Sequence, residues 1–348
     1  MQYAALAMTW GASFLFIKVG LQRLSPPEVV LGRLSAGAVA LLAMAAVTRQ
    51  PLPRRPVIWA HLAVVSVLLC VVPFLLFSWA EKHVASGLAS VYNGATPLMT
   101  ALVALAALPG ERPTTAKVTG LLTGFAGVLV VFGPWRGIGS GAGLAQAGCL
   151  LATFCYGLAF VYLRRFVTPY RLPAMAVATV QVSLGAALML LFAPVYITGP
   201  VRLNVAVIAS ISILGVGGTG LAYLWNTNIV AGWGATNAST VTYFTPLVGV
   251  VLGAVVLGEA VAWNEPVGAL IVITGIALSQ GRLRWPQPGH RAATPLAIYK
   301  QRSRQRCTAV CTASSSSTAR APDAPAAPRT SSPSVTRTPP ARGTKSPP

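Results

Sequence analysis

Three ionisable side chains lie in or beside long apolar runs of the chain, where a charged group finds few partners. Lys18 lies late in the first run, Arg33 early in the second, and Glu81 at the end of the third. A cation in apolar surroundings can bind a carboxylate, and a carboxyl group there can take up and release a proton. These residue types predict binding of an acidic group at Lys18 and Arg33, and of a proton at Glu81.

The patterns of known catalytic and metal sites do not occur in the sequence. The three histidines are far apart, and there is no HExxH, GxSxG or phosphate-binding loop. Cys70, Cys149 and Cys155 lie in apolar runs, where cysteine usually packs as a small apolar side chain. Cys307 and Cys311 lack the second ligand pair that a zinc site needs. We therefore predict no catalytic residue, no metal and no cofactor.

Composition places the chain in a membrane. It has 348 residues, of which 54% are hydrophobic and 9% charged, with a mean hydropathy of +0.66. A soluble globular protein has about 25% charged residues. The formal net charge is +20, but much of it follows Gly281, and no basic patch with interleaved aromatic residues accompanies it. Nucleic-acid binding is therefore not predicted.

About ten apolar runs are long enough to cross about 30 Å of hydrocarbon as helices. They lack the strict alternation of barrel strands, which predicts an all-α polytopic membrane protein. The first run has no basic residue up to Trp10, so we interpret it as a retained helix rather than a cleaved signal. The predicted spans are residues 2–20, 29–48, 57–80, 86–108, 115–133, 142–163, 173–194, 203–229, 235–257 and 264–281.

Basic residues accumulate in alternate loops. The richest loops contain Arg49, Arg54 and Arg55, then Arg112 and Lys117, then Arg164, Arg165 and Arg171. Lysine and arginine are enriched in cytoplasmic loops. This asymmetry predicts a multi-pass protein of the cell membrane with both termini in the cytoplasm.

This topology leaves two alternatives for the charged side chains. Lys18 and Arg33 either extend to the membrane interface or turn inward, where they favour carboxylate-bearing substrates. Glu81 is either an interfacial charge beside Lys82 and His83 or a proton site inside the bundle.

One stretch of the sequence is written twice. In each copy a proline lies inside an apolar run, a Gly-Glu pair ends the run, and a glycine-rich run follows; the glutamates are 259 − 111 = 148 residues apart. The repeat unit holds about five spans, and an odd number of crossings inverts the second copy. Such repeats place a binding site near the midplane, as in transporters. We predict repeats at residues 1–134 and 140–282.

The N-terminal motifs resemble a known family. WGASFLFIKVG at residues 10–20, followed by SPPEVVLGRLSAGAVAL at residues 25–41, is similar to the opening of an EamA-type permease of the drug/metabolite transporter superfamily. The resemblance covers residues 1–282. It implies ten helices in two inverted five-helix halves that move small metabolites, often amino acids or their analogues, and frequently outward.

The prolines and glycines of the repeats are candidates for motion. Pro97 and Pro246 each free a carbonyl four residues earlier, and the result is either a static kink or a site facing the cavity. Gly217 and Gly218, in a dense glycine run, are further hinge candidates. The candidate cavity residues are Trp10, Phe14, Lys18, Arg33, Tyr92, Asn93, Tyr156, Trp225, Asn226, Asn237 and Tyr243.

Glycines of the fifth and tenth spans predict close helix packing, within the chain or between copies in a homodimer. Gly120, Gly124 and Gly127 share one face of the fifth span, and Gly268 and Gly275 lie on the tenth. Residues 283–348 are basic and rich in Pro, Ser, Thr and Ala, which predicts a disordered cytoplasmic tail.

The predicted function is export of amino acids or related zwitterionic or neutral solutes across the lipid bilayer by alternating access. Multidrug efflux and uncoupled facilitation by the same fold are alternatives, and a membrane-embedded enzyme or receptor is a more distant one. Small multidrug relatives in the superfamily have a glutamate in the first helix. This chain has Lys18 and no acid there, which disfavours lipophilic cations.

Overall fold

The computed structural model describes residues 2–108, 113–133, 141–197, 199, 203–223, 225 and 241–281, and all regular secondary structure within these ranges is helical. Long apolar runs favour helices because each backbone N–H then finds its acceptor within the same segment, as a bilayer requires. The first six helices are α1 Gln2–Gly20, α2 Pro26–Val47, α3 Pro56–Ala80, α4 Ser86–Gly94, α5 Thr96–Ala107 and α6 Thr115–Phe132. The next six are α7 Gly141–Tyr162, α8 Ala174–Leu191, α9 Ala193–Tyr196, α10 Val205–Leu221, α11 Val241–Leu257 and α12 Asn264–Ser279.

Seven helical segments in the described ranges are long and apolar enough to cross a membrane. They correspond to α1, α2, α3, α4 with α5, α6, α7 and α8. The shorter apolar helices α10, α11 and α12 follow in the predicted order. The chain is therefore an all-helical, multi-pass membrane protein, and the count of ten spans stays a prediction.

Local sequence explains where several helices begin and end. Pro26 lies in the first turn of α2, where a missing N–H has no helical acceptor to lose, and Glu28 Oε2 accepts from Ser25 N at 2.6 Å. Asn204 Oδ1 accepts from Val207 N at the start of α10. Gly133 ends α6 with a φ of 59°, a conformation that glycine adopts without strain.

The predicted span 86–108 is divided in the structure. Helix α4 ends at Gly94, and Pro97 lies in the first turn of α5. The carbonyl of Asn93, which Pro97 cannot pair, accepts from Thr96 Oγ1 at 2.7 Å. This carbonyl therefore has a local hydrogen-bond donor. The second repeat differs, because Pro246 lies inside the continuous helix α11. A hinge role for either proline stays a prediction.

Glycine faces bring α6 and α12 together, and this is the most extensive contact between described helices. A Cβ added at Gly120 would lie 2.6 Å from the Gly275 carbonyl oxygen, and one at Gly127 would lie 2.9 Å from that of Gly268. Residues without side chains are needed for this approach. The predicted packing face is confirmed. Its partner is within the same chain, so the face is not free for a second copy.

Candidate functional site

Arg33 is buried in the bundle, seven residues beyond Pro26 and so about 10 Å along α2. Its side chain is 9% exposed, and its Cζ lies 3.7 Å from the centroid of the Phe74 ring on α3. Arg33 Nε donates to Thr219 Oγ1 on α10 at 3.3 Å. Burial and both contacts turn the guanidinium into the bundle, which favours the inward alternative over extension to the membrane interface.

Polar side chains from α7, α8 and the residues just after α10 lie near this guanidinium. Tyr156 and Tyr223 lie close enough to Arg33 to interact electrostatically. Gln181 Nε2 donates to the Tyr223 hydroxyl at 3.1 Å, and Gln181 Oε1 is buried without a hydrogen-bond partner in the described part of the chain. We define the Arg33 cluster as Arg33, Phe74, Tyr156, Gln181, Thr219 and Tyr223.

The Arg33 guanidinium has N–H donors that no described residue accepts. Among the described residues, the guanidinium makes one hydrogen bond, through Nε, so its terminal nitrogens retain donors. A planar guanidinium binds a carboxylate through two parallel hydrogen bonds. The Phe74 ring and two tyrosines provide apolar surface beside these donors. The terminal nitrogens can pair with one carboxylate group.

Aromatic rings connect the Arg33 cluster with α1. Phe77 stacks near Tyr156 with ring centroids 6.2 Å apart, and Phe14 meets Phe77 edge to face at 5.5 Å. Phe14 is 5% exposed. Thus Phe14, Tyr156 and Arg33, all predicted cavity residues, belong to one connected region.

Lys18 and Glu81 lie together at the end of the bundle where α1 and α3 finish. Lys18 Nζ donates to the backbone carbonyls of Glu81 and Val84, the second at 2.8 Å. These bonds join α1 to the turn after α3, so Lys18 binds peptide oxygens rather than the Glu81 carboxylate. Glu81 is fully buried, and neither carboxylate oxygen has a hydrogen-bond partner in the described part of the chain.

The environment of Glu81 favours its neutral form. This residue lies one position beyond the α3 span, which ends at Ala80. Burial raises the pKa of the Glu81 carboxyl well above its ordinary value of 4.5, and the nearby Lys18 ammonium opposes the rise without cancelling it. This environment favours the proton-site alternative over an interfacial charge beside Lys82 and His83, and the role of Glu81 stays a prediction.

Glu259, which follows α11, closes the same end of the bundle. Its carboxylate accepts from Ser86 N and Ser86 Oγ, both at 2.8 Å, and from Gly87 N at 3.2 Å. A carboxylate at a helix N-terminus pairs with N–H groups that the helix leaves unbonded. Glu259 therefore caps α4 from a distant part of the chain.

A pocket of about 400 Å³ lies at this end. We name it the outer pocket because loop charges predict that this end faces outside. The first, third and ninth predicted spans finish here, as alternating crossings require. The residues that line the outer pocket are Lys18, Leu21, Gln22, Glu81, Lys82, Leu257 and Glu259.

Other predicted cavity residues do not join the Arg33 cluster. Tyr92 is buried and donates from its hydroxyl to Gln146 Oε1 on α7 at 2.6 Å. Trp10 and Trp225 pack against a separate small apolar cluster around Leu6. The Asn93 side chain is half-buried, and the Asn93 carbonyl accepts from Thr96 Oγ1.

The remaining predicted positions lie in α10 and near α11. Gly217 and Gly218 belong to a π-helical stretch, Ile213–Leu221, and a Cβ added at Gly218 would lie 3.0 Å from Ser13 Oγ. This stretch packs on α2, which is compatible with a cavity wall. Asn226, Asn237 and the side chain of Tyr243 lie outside what the structure describes.

Several residues of the site were not predicted. Gln181 and Thr219 are buried polar residues in apolar spans, a signal that itself marks functional candidates. Phe74 gave no signal, because an aromatic ring in an apolar run usually belongs to the core. Glu259 was noted for its repeat position and not for the α4 N-terminus that it caps.

Apolar helices around a charged and polar interior are typical of membrane transporters. Comparison with known proteins gives the family. The model of the EamA-like transporter family matches residues 2–133 and 143–280, so the chain belongs to that family.

Similar proteins are named as transporters. The uncharacterized transporter YdfC of Bacillus subtilis (strain 168) is 25% identical over 272 residues, covering 78% of this chain and 87% of YdfC. A probable terminal-alkyne amino-acid exporter of Streptantibioticus cattleyicolor is 26% identical, covering 79% of this chain and 91% of the exporter. A probable amino-acid metabolite efflux pump of Escherichia coli (strain K12) is 23% identical, covering 80% and 94%.

A solved structure supports the fold. One crystal structure aligns with a TM-score of 0.57 at 20% identity, covering 80% of this chain and 94% of the other. At this identity the likeness concerns the fold alone.

Proposed function

We propose that this transporter moves small amino acids or related zwitterionic or neutral metabolites out of the cell by alternating access. The observation that carries the proposal is the buried, incompletely bonded guanidinium of Arg33. A buried charge is unfavourable unless a partner compensates it, and in a transporter that partner can be the solute. Two relatives named for amino-acid export and amino-acid metabolite efflux support the substrate class and direction.

The position of Arg33 suits a site that both halves reach. We propose inverted repeats at residues 1–134 and 140–282, and the two separate matches of the family model support this division. Arg33 is on α2 in the first repeat, and its partner Thr219 is on α10 in the second. Rocking of the repeats would therefore change the surroundings of the guanidinium. Basic loops favour cytoplasmic termini.

In this site the carboxylate of the solute pairs with the Arg33 terminal nitrogens. The rings of Tyr156 and Tyr223 lie beside its apolar part, and Gln181 Oε1 accepts a hydrogen bond from its ammonium. Lipophilic cations fit this site poorly, because α1 has Lys18 and no acid and Arg33 repels positive charge. Multidrug efflux is therefore the weaker alternative.

Transport by purified protein in liposomes tests the proposal, with a radiolabelled mixture of the common L-amino acids as the probe. We expect Arg33→Gln to lower the rate about a hundredfold, because a charge-assisted bidentate contact is lost. Arg33→Lys should recover a small part, since an ammonium lacks the planar fork. Arg23→Gln is the matched control, because Arg23 is exposed in the α1–α2 turn.

Folding and solute choice separate a binding role from a structural one. Arg33→Gln should be purified in near wild-type yield, because a buried ion with one neutral hydrogen bond contributes little to stability. Transport of amino-acid amides, which lack the carboxylate, should be similar in wild type and Arg33→Gln. Equal loss of acids and amides would contradict the role of Arg33, and inactive wild-type protein would contradict the proposed function.

A further inference from the structure

Glu81 is the buried acid that the outer pocket leaves without a partner. Its side chain is 0% exposed although it borders this pocket of about 400 Å³. Neither carboxylate oxygen has a hydrogen-bond partner in the described ranges. Solute binding at the Arg33 cluster does not require this group, and a packing role would be filled at lower cost by an apolar side chain.

The charged and titratable groups that face Glu81 come from four elements. They are Lys18 on α1, Arg33 on α2, Cys149 on α7 and Glu259 after α11. Lys18 gives its hydrogen bonds to two backbone carbonyls, and the Glu259 carboxylate is bonded at the α4 N-terminus. Lys18, Arg33 and Glu259 together carry a net charge of +1, which favours ionised Glu81, whereas burial favours the neutral acid and outweighs these charges while the side chain is away from water. Access of water to Glu81 therefore decides whether the carboxyl group is ionised.

We propose that Glu81 is a proton-binding site that couples solute export to proton influx. A proton from the external solution reaches the Glu81 carboxylate through the outer pocket and forms the neutral acid. Closure of the outer end buries this acid, which is the arrangement in the structure. When the bundle opens to the cytoplasm, water reaches the carboxyl group and the proton leaves on that side. The inference rests on the proposed transport function.

The ordering of these steps follows from solvation. An ionised carboxylate without donors is strongly disfavoured in apolar surroundings, whereas the neutral acid is tolerated there. Burial therefore selects protein that has taken up its proton, and exposure to water on either side permits exchange. The same difference disfavours a state with ionised Glu81 that water reaches from neither side, so passage between the two open states without a proton is suppressed.

The first test follows proton movement in liposomes that contain a pH-sensitive dye. An imposed gradient of the L-amino acid mixture should drive a change of internal pH with wild-type protein. Glu81→Gln should lose this change by about tenfold or more, and any solute flux that remains should not depend on pH. Glu28→Gln is the matched control, because Glu28 is an acid at the same end whose carboxylate is bonded to Ser25. It should couple as wild type does.

The second test needs neither solute nor variant. Dicyclohexylcarbodiimide modifies protonated carboxyl groups in apolar surroundings, and mass spectrometry locates the product. At neutral pH we expect Glu81 to be labelled and Glu28 to be unlabelled.

The outcomes separate the two proposals. Three outcomes would overturn the coupling role and leave the transporter function standing. They are solute transport by wild type without proton movement, proton movement in Glu81→Gln, and an unlabelled Glu81. If wild-type protein carries no solute but Glu81 is labelled, the proposed transport function and the coupling role of Glu81 both fail. The labelling would then show only that Glu81 binds a proton.

Discussion

Helices α6 and α12 pack mostly backbone against backbone. Helices α4 and α11 also approach closely, with a Cβ added at Gly87 lying 3.0 Å from Val250 Cα, but they add contacts through serine and proline side chains and through the Glu259 carboxylate after α11. In the first pair, a Cβ added at Gly275 would lie 2.4 Å from Gly124 N. In the second pair, a Cβ added at Gly94 would lie 2.6 Å from Pro246 Cγ, and Ser90 Oγ lies 3.4 Å from the Pro246 carbonyl oxygen. The duplication in the sequence relates the helices within each pair, yet only the second pair adds serine, proline and carboxylate contacts to its backbone approach.

The difference indicates which contact is fixed and which adjusts. Backbone atoms in direct contact have no rotamers to change, so α6 and α12 can slide only by separating. The other pair includes the break between α4 and α5, a proline inside α11, and side chains that can exchange partners. We therefore expect α6 with α12 to act as a rigid support and α4 with α11 to move during transport.

The largest effect is expected at the rigid pair. Gly275→Ala places a methyl group against Gly124 N and the Gly120 carbonyl oxygen, which cannot move aside. We expect it to lower the free energy of unfolding by about 3 kcal/mol, the upper part of the usual range for overpacking. Thermal unfolding in detergent measures this. Gly141→Ala is the control, since an added Cβ there has nothing within 4 Å; equal stability of the two variants would remove the distinction between the pairs.

The next largest effect is expected at Glu259, whose carboxylate joins the segment after α11 to the N-terminus of α4. Glu259→Gln removes the charge from its bonds to Ser86 and Gly87 and should cost about 2 kcal/mol. Amide hydrogen exchange should rise at Ser86 and Gly87. Glu28→Gln, which changes an acid bonded only within its own turn, should leave exchange at those amides unaltered. Unchanged exchange in Glu259→Gln would show that the carboxylate does not hold α4.

A smaller change of stability with a larger change of rate is expected at Gly94. In Gly94→Ala the new methyl group meets a proline ring rather than backbone, so we expect a loss of about 1 kcal/mol. Transport per folded molecule should fall about tenfold, because the added methyl group obstructs movement of α11 past α4. Liposome transport normalised to folded protein measures this. A normalised rate equal to that of wild type would place the moving contact elsewhere.

The helices could be predicted closely and the site only in part. Spans such as α1 and α8 follow the apolar runs because bilayer thickness sets their length. The break at Ala95 was missed, because a proline fits the first turn of a helix as well as a bend within one. The sequence identifies Arg33 as a candidate residue of the site. The direction of its side chain depends on Thr219, which is 186 residues away in the chain. The direction of Tyr92 depends in the same way on a distant residue, since its hydroxyl donates to Gln146.

The last prediction separates the rigid pair from the buried acid Glu81 by their response to pH. Because burial raises the pKa of Glu81 above 4.5, the native chain binds more protons than the unfolded chain between the two values. The free energy of unfolding should therefore fall as pH rises through that window, by at most about 1.4 kcal/mol per pH unit. Unfolding temperatures measured across the window should show this slope in wild type and lose it in Glu81→Gln. Gly275→Ala should lower the whole curve and keep the slope, because the glycine pair has no part in proton binding; a slope that survives in Glu81→Gln would belong to another group.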